Sequence, residues 1–242
     1  LAMAAGSFVI AAPRPSEAAP YKVYSPHVVR GENEVEYRGF HDVDDDGSIG
    51  GTEQHVIALG RGFTDNWFSE IYSVNGKDPG SSLRHTGFEW ENLFQLAEPG
   101  QYWADFGLLL EYEALNRGSP DEIAIGPIFE KAIGPWVTTL NFLFEQEVGS
   151  GRTSGTTFAY AARVRYLLRP QFEPAVEFFG EPGRFGHFGS FNGQEHWVGP
   201  AFYGSVGVGT GKKLSYSASC LFGETSVSSD NRAILRLEFE FF

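Results

Sequence analysis

The clearest pattern in the chain is the alternation of apolar and polar positions from Phe88 to Tyr112. Phe88, Trp90, Asn92 and Phe94 share one parity, and Glu89, Glu91, Leu93 and Gln95 share the other. Ala97-Glu98-Pro99-Gly100 then reverses the chain. Beyond it Tyr102, Ala104, Phe106, Leu108, Leu110 and Tyr112 alternate with Trp103, Asp105, Gly107, Leu109 and Glu111. A period of two means strand, because successive side chains of an extended chain point to opposite faces. Arms of about eleven residues are long for a globular protein. Ten steps of about 3.3 Å, tilted by about 40°, climb about 25 Å, the height of the apolar band on an outer-membrane barrel. The apolar parity, with tyrosines at both ends, suits lipid and its interfaces. The carboxylate parity is too costly against lipid and belongs to a lumen. Pairing Gln95 with Gln101 across the turn would set Glu91 opposite Asp105.

From Asn33 onward about twelve such segments follow, near 33–43, 53–63, 67–76, 83–96, 101–113, 122–131, 136–148, 156–168, 172–180, 195–207, 212–223 and 232–242. Tight connections at 64–66, 98–100, 133–135, 169–171 and 210–212 alternate with longer, more polar ones around 44–52, 77–82, 114–121, 149–155, 181–194 and 224–231. This predicts an all-β chain forming a single antiparallel transmembrane β-barrel of about twelve strands over 33–242, with both termini periplasmic. The rival is a secreted β-sandwich acting as a binding module. A sandwich would bury rows such as Phe106/Leu108/Leu110 and Leu235/Leu237/Phe239 in its own core. Residues 1–20, apolar to Ala12 and then small at Ser16 and Ala18, resemble the end of a secretory signal peptide. The other reading is an Ala/Pro extension, and residues 21–32 are a lead-in to the first strand.

Composition narrows the function classes. A net charge of −13 disfavours nucleic acid, whose phosphates need a basic surface. No run reaches the eighteen apolar residues of a spanning helix, so a membrane form must be a barrel. The single cysteine, Cys220, excludes an intramolecular disulfide. No Gly-x-Ser-x-Gly elbow occurs, and 207–213 lacks P-loop spacing, so no catalytic residue is expected. A lipase-type barrel would need a Ser and a His that nothing in the sequence brings together.

The inward parity carries the candidate chemistry: Glu89, Glu91, Asp105, Glu111 and Glu145, with Arg163, Arg165 and Arg236 as the basic counterpart. Glu34, Glu36, Glu70, Glu147, Glu177, Glu238, Glu240 and Arg38 share that parity on their own segments. Barrel closure would let Arg38 and Arg236 meet glutamates of the first and last strands, and Arg163 and Arg165 face the strand of Glu145 and Glu147. Acids in excess point to a water-filled path favouring cations or neutral organic solutes, since unpaired carboxylates need water or cations. A salt-bridged plug that conducts nothing is the alternative.

Asp42, Asp44, Asp46 and Glu53 fall at positions one, three, five and twelve of a calcium-loop spacing, with Gly47 at six. The flanks read as strands, so the expectation is at most weak calcium binding, against a plain acidic turn; calcium is the one ion anticipated. The stretch 180–195 carries Phe185, Phe188 and Phe191 among glycines and ends beside His196, with His187 within it. It would fold inward as a constriction or stay external.

The last strand, ending Leu237-Glu238-Phe239-Glu240-Phe241-Phe242, resembles the C-terminal signature that the barrel-assembly machinery reads in Gram-negative outer-membrane proteins, with Phe242 one residue out of frame. Gly62-Phe63-Thr64-Asp65-Asn66-Trp67, the stretch 94–103, and Gln194-Glu195-His196 followed by Gly199-Pro200 together resemble the outer-membrane barrels grouped under the meta-pathway of phenol degradation. That resemblance implies an outer-membrane barrel in contact with lipid and passing small organic solutes. It assigns no functional residue.

Overall fold

A computed structural model describes residues 21–44, 51–116 and 118–242. The chain forms β1 (Asn33–Val43), β2 (Glu53–Gly62), β3 (Trp67–Lys77), β4 (Arg84–Gln95), β5 (Asp105–Leu115), β6 (Asp121–Ile133), β7 (Trp136–Val148), β8 (Thr157–Tyr166), β9 (Glu173–Arg184), β10 (Glu195–Gly209), β11 (Lys212–Gly223) and β12 (Asn231–Phe241). Each strand pairs antiparallel with its sequence neighbours, and β1 also pairs with β12, closing the ring. Closure gives every strand two partners and leaves no open edge, as a span through lipid requires. A sandwich of two sheets is thereby excluded.

The alternation read from the sequence sorts the two faces. Val56 and Ala58 on β2, and Tyr72 and Val74 on β3, are buried inside, whereas Ile57, Leu59 and Ile71 stand more than half exposed outside. Phe88, Trp90, Leu110, Tyr112, Leu235 and Leu237 continue the outer apolar surface, and Phe242 lies beyond β12, exposed. Two ends can be told apart. At one, β6 and β7, and likewise β10 and β11, are joined by two residues; at the other, longer connections join β1 to β2 and β9 to β10.

The opening hairpin is registered differently from its sequence expectation. Gln95 pairs with Gly107 and Glu91 with Glu111, six residues beyond the anticipated partners. The reason lies in the connection. Gly100 takes φ 75°, its N–H donates to Asp105 Oδ1 at 2.6 Å, and Gln101 N donates to Glu98 O at 3.0 Å. Asp105 therefore caps the turn at the lumen rim instead of facing Glu91. Tyr102 and Trp103 leave the strand and meet Phe106 edge-on at 6.2 and 5.5 Å.

The lead-in to β1 runs through the barrel interior over residues 21–28 and passes the short-turn rim at the exposed Val29 and Arg30. Tyr21 packs among Phe40, Phe179 and Trp197 nearer the long-loop end. Tyr24 packs on Leu109, Ile128, Leu143 and Ala159 at mid-height. Near the short-turn rim Val28 N donates to Gln95 Oε1 at 2.9 Å, and Gly31 N donates to Gly62 O at 2.8 Å. A Cβ at Gly62 would stand 2.0 Å from Val29 O, so glycine is required where the segment crosses β2.

The 185–194 connection turns outward. Phe185 contacts Phe144 and Phe158 at 5.2 and 6.0 Å, and Phe188 contacts Phe158 at 5.9 Å, all on the apolar exterior. Apolar rings gain more from that outer surface than from the charged interior, and the segment that enters the interior is residues 21–28 instead.

Candidate conduit and its internal charges

One side of the lumen, over β8–β12, holds arginines paired with carboxylates, alongside one facing acid pair, Glu181 and Glu195. Arg232 holds Asp42 with two hydrogen bonds, Nε to Oδ1 at 2.5 Å and Nη2 to Oδ2 at 2.6 Å, and stacks over the rings of Tyr21, Phe40 and Trp197. Arg236 donates to Glu177 Oε1 at 3.1 Å and to the Tyr21 carbonyl at 2.6 Å, while the Tyr203 hydroxyl also donates to Glu177. Arg163 donates to Thr139 Oγ1 at 3.3 Å, lies 3.8 Å from Glu130 and covers the Tyr203 ring; Arg165 meets Glu173 at 3.1 Å.

Arg163 and Arg165 do face β7, the strand of Glu145 and Glu147, but the register sets them away from those two glutamates. Arg163 stands opposite Thr139 and Arg165 opposite Val137, whereas Glu145 stands opposite Thr157. Glu147 accepts from Thr153 in the adjoining loop. Arg236 is level with Arg38, and like charges side by side send it across to Glu177 on β9. Arg38 does keep a glutamate of its own strand, Glu36, at 3.7 Å.

The other side, over β4–β7, is acidic. Glu91 stands opposite Glu111 and Glu89 opposite Glu113, on the same inward face. Glu91 accepts from the hydroxyls of Tyr24 and Tyr72. Both oxygens of Glu89, and one each of Glu111 and Glu145, are buried without a hydrogen-bond partner. Among the sequence-predicted site residues, Glu89, Glu91, Glu111, Glu145, Arg163 and Arg236 are buried inside the barrel, and Asp105 and Arg165 are half-buried.

Residues 21–32 tie these walls together. Lys22 binds Glu36, donates to Tyr72 at 2.9 Å and lies 3.6 Å from Glu70. Asn141 clasps the Tyr24 backbone, accepting from its N–H at 2.7 Å and donating to its C=O at 2.9 Å. At the short-turn rim His27 meets Glu130 at 3.1 Å and Asp105 at 3.6 Å. Beside the segment, opening towards that rim, is a cavity of about 430 Å³. Arg163 and Arg165 line it on β8, with Glu34, Glu238 and Glu240 on β1 and β12.

Several of these residues escaped the sequence reading. Lys22, Tyr24 and His27 belong to a segment with no period. Glu130 and Arg232 carried a usable signal, because Glu130 shares the parity of buried Ile128 and Arg232 that of Arg236.

The candidate calcium loop is largely committed elsewhere. Both oxygens of Asp42 serve Arg232, Asp44 Oδ1 accepts from Asp230 N at 2.8 Å, and Glu53 meets Lys77 at 2.9 Å and His41 at 3.2 Å. Asp46 lies outside the described residues. His196 stacks on Phe191 at 4.7 Å and bonds Tyr160 and Gln194, each at 3.0 Å. Among the described residues, the carboxylate sets close enough to share an ion are Glu34/Glu36/Glu238 and Glu89/Glu91/Glu111.

No family model and no curated protein matches the chain. Solved structures do. The COG4313 outer membrane channel from Pseudomonas putida F1 superposes with a TM-score of 0.61 at 12% identity, covering 93% of this chain and 100% of that one. The barrel has the fold of outer-membrane channels. The NanC porin agrees, with a TM-score of 0.56 at 8% identity, over 86% of this chain and 99% of its own. At these identities the likeness concerns the fold; the interior charges described above are this chain's own.

Proposed function

We propose that the protein is an outer-membrane conduit for small solutes, favouring cations and neutral organic molecules over anions, with residues 21–28 as its internal constriction. The observation that carries this reading is a closed barrel, apolar outside and acidic inside, with Glu89, Glu91, Glu111 and Glu145 buried on the inward face. Like charge on a low-dielectric wall raises the barrier for anions and lowers it for cations. Arg163 and Arg165, across the short-turn cavity from Glu34 and Glu238, set up a transverse field that orients dipolar solutes. The resemblance of the last strand to the assembly signature, and the alternation of short and long connections, support an outer-membrane placement with the short-turn end periplasmic.

A second reading has its own support. Tyr24 packed among Leu109, Ile128 and Leu143 leaves the mid-lumen filled, as a non-conducting scaffold would. Swelling of proteoliposomes in isosmotic solutes separates the two. The conduit reading expects slow uptake of neutral and cationic solutes by the intact protein, and faster uptake when residues 21–28 are deleted or Tyr24→Ala loosens the packing. Folding of each variant is checked by heat-dependent migration on a gel. Folded variants that admit nothing would leave the scaffold.

A further inference from the structure

We infer that the barrel binds a divalent cation of the calcium class at mid-height, between Glu89, Glu91 and Glu111. The register places two like-charged rungs next to one another, Glu91 opposite Glu111 and Glu89 opposite Glu113. Directly opposed like charges repel, and burial strengthens the repulsion. One carboxylate oxygen from each of Glu89, Glu91 and Glu111 lies within 4.8 Å of the others. Oxygens that close can share one divalent ion. Calcium accepts irregular shells built mainly of protein carboxylates, whereas magnesium demands a near-ideal octahedron and keeps its waters, so a buried three-carboxylate set suits the calcium class.

A cluster of acids alone would not carry this. Glu89 is 1% exposed, and neither of its oxygens has a partner. From outside the cluster, on β7, Glu145 is equally buried, has one oxygen without a partner, and its charge acts on Glu111 and Glu113. Among the described residues no lysine or arginine pairs directly with Glu89, Glu91 or Glu111, and the charge of Arg38 reaches them only at longer range. Lys22 is engaged by Glu36 and Glu70. Arg38 lies over the Tyr72 ring at 5.2 Å beside Glu36, with Nη1 and Nη2 both lacking hydrogen-bond acceptors. Buried carboxylate oxygens without donors mark a space that an ion and its waters would fill.

This site is separate from the 42–53 loop, and it stands whether or not the barrel conducts. Its ligand Glu91 accepts from two tyrosine hydroxyls, so a bound terbium ion would sit beside its own sensitiser. The test is tyrosine-excited terbium luminescence of the full chain, stripped with chelator and refolded in detergent with terbium present. The expected result is a saturable signal displaced by calcium at far lower concentration than by magnesium. Glu89→Gln and Glu111→Gln should each weaken binding at least tenfold, and Asp44→Ala should leave it unchanged. Both Gln variants keep the shape and remove repulsion, so they are expected to fold, which gel migration verifies. No signal, a signal untouched by the Gln variants, or one lost in Asp44→Ala would overturn the inference.

Discussion

The two sides of the lumen handle buried charge in opposite ways. Over β8–β12 each arginine meets a carboxylate: Arg232 with Asp42, Arg236 with Glu177, Arg165 with Glu173. Over β4–β7 the carboxylates face one another, and Glu89 has no hydrogen-bond partner among the described residues. On the paired side the arginine charges are matched within the chain, although Glu181 stands opposite Glu195 there. The acidic side needs cations or water, and it is the side on which the proposed selectivity rests.

The largest expected effect comes from breaking the paired side. Arg236→Ala strands Glu177, which is fully buried, and takes a double hydrogen bond from the Tyr21 carbonyl. Removing one partner of a buried pair typically costs about 3–5 kcal/mol. Urea unfolding followed by gel migration should show a loss of that order; a loss below about 1 kcal/mol would mean that water already screens the pair. On the acidic side the same kind of measurement should reverse in sign. In chelator, Glu89→Gln should leave stability unchanged or raise it by about 1 kcal/mol, since it removes one of two facing charges.

Next in size is a pH effect at the constriction. His27 sits at the short-turn rim against Glu130, itself beside Arg163, and against Asp105. Its hydrogen bond to Glu130 raises its pKa above the ordinary imidazole value, and the two carboxylate charges add to this against partial desolvation. A raised pKa means that the grip is complete below the ordinary value and is lost as pH rises through the raised one. Solute uptake should therefore increase from about pH 6 to pH 8 in the natural sequence and stay flat in His27→Gln. The smallest effect belongs outside the lumen. Arg84→Ala breaks an exposed pair with Asp78 and should change stability by less than about 1 kcal/mol in the same unfolding assay.

How much of this was legible in the sequence follows from what each feature depends on. Strand identity and facing depend on parity, so the twelve strands and the inward set from Glu89 to Arg236 could be read residue by residue. Register depends on turn geometry, and there Asp105 misled. Its carboxylate caps Gly100, which moved the hairpin by six residues and gave Glu91 a different acidic partner. The charge pairs depend on side chains meeting across the lumen, as Arg236 does with Glu177 three strands away, and no local pattern records that distance. The constriction was illegible because Tyr21, Lys22 and Tyr24 are held by tertiary contacts alone, without a periodicity to announce them.

In the proposed conduit the uncompensated acidic side governs what passes. Reversal potential across a planar bilayer in a potassium chloride gradient tests it most directly, using the intact chain and the form lacking residues 21–28. Preference for potassium over chloride in both, reduced when Glu89 and Glu111 are both changed to Gln, is the predicted result. Preference for chloride, or a selectivity unmoved by those two changes, would contradict it.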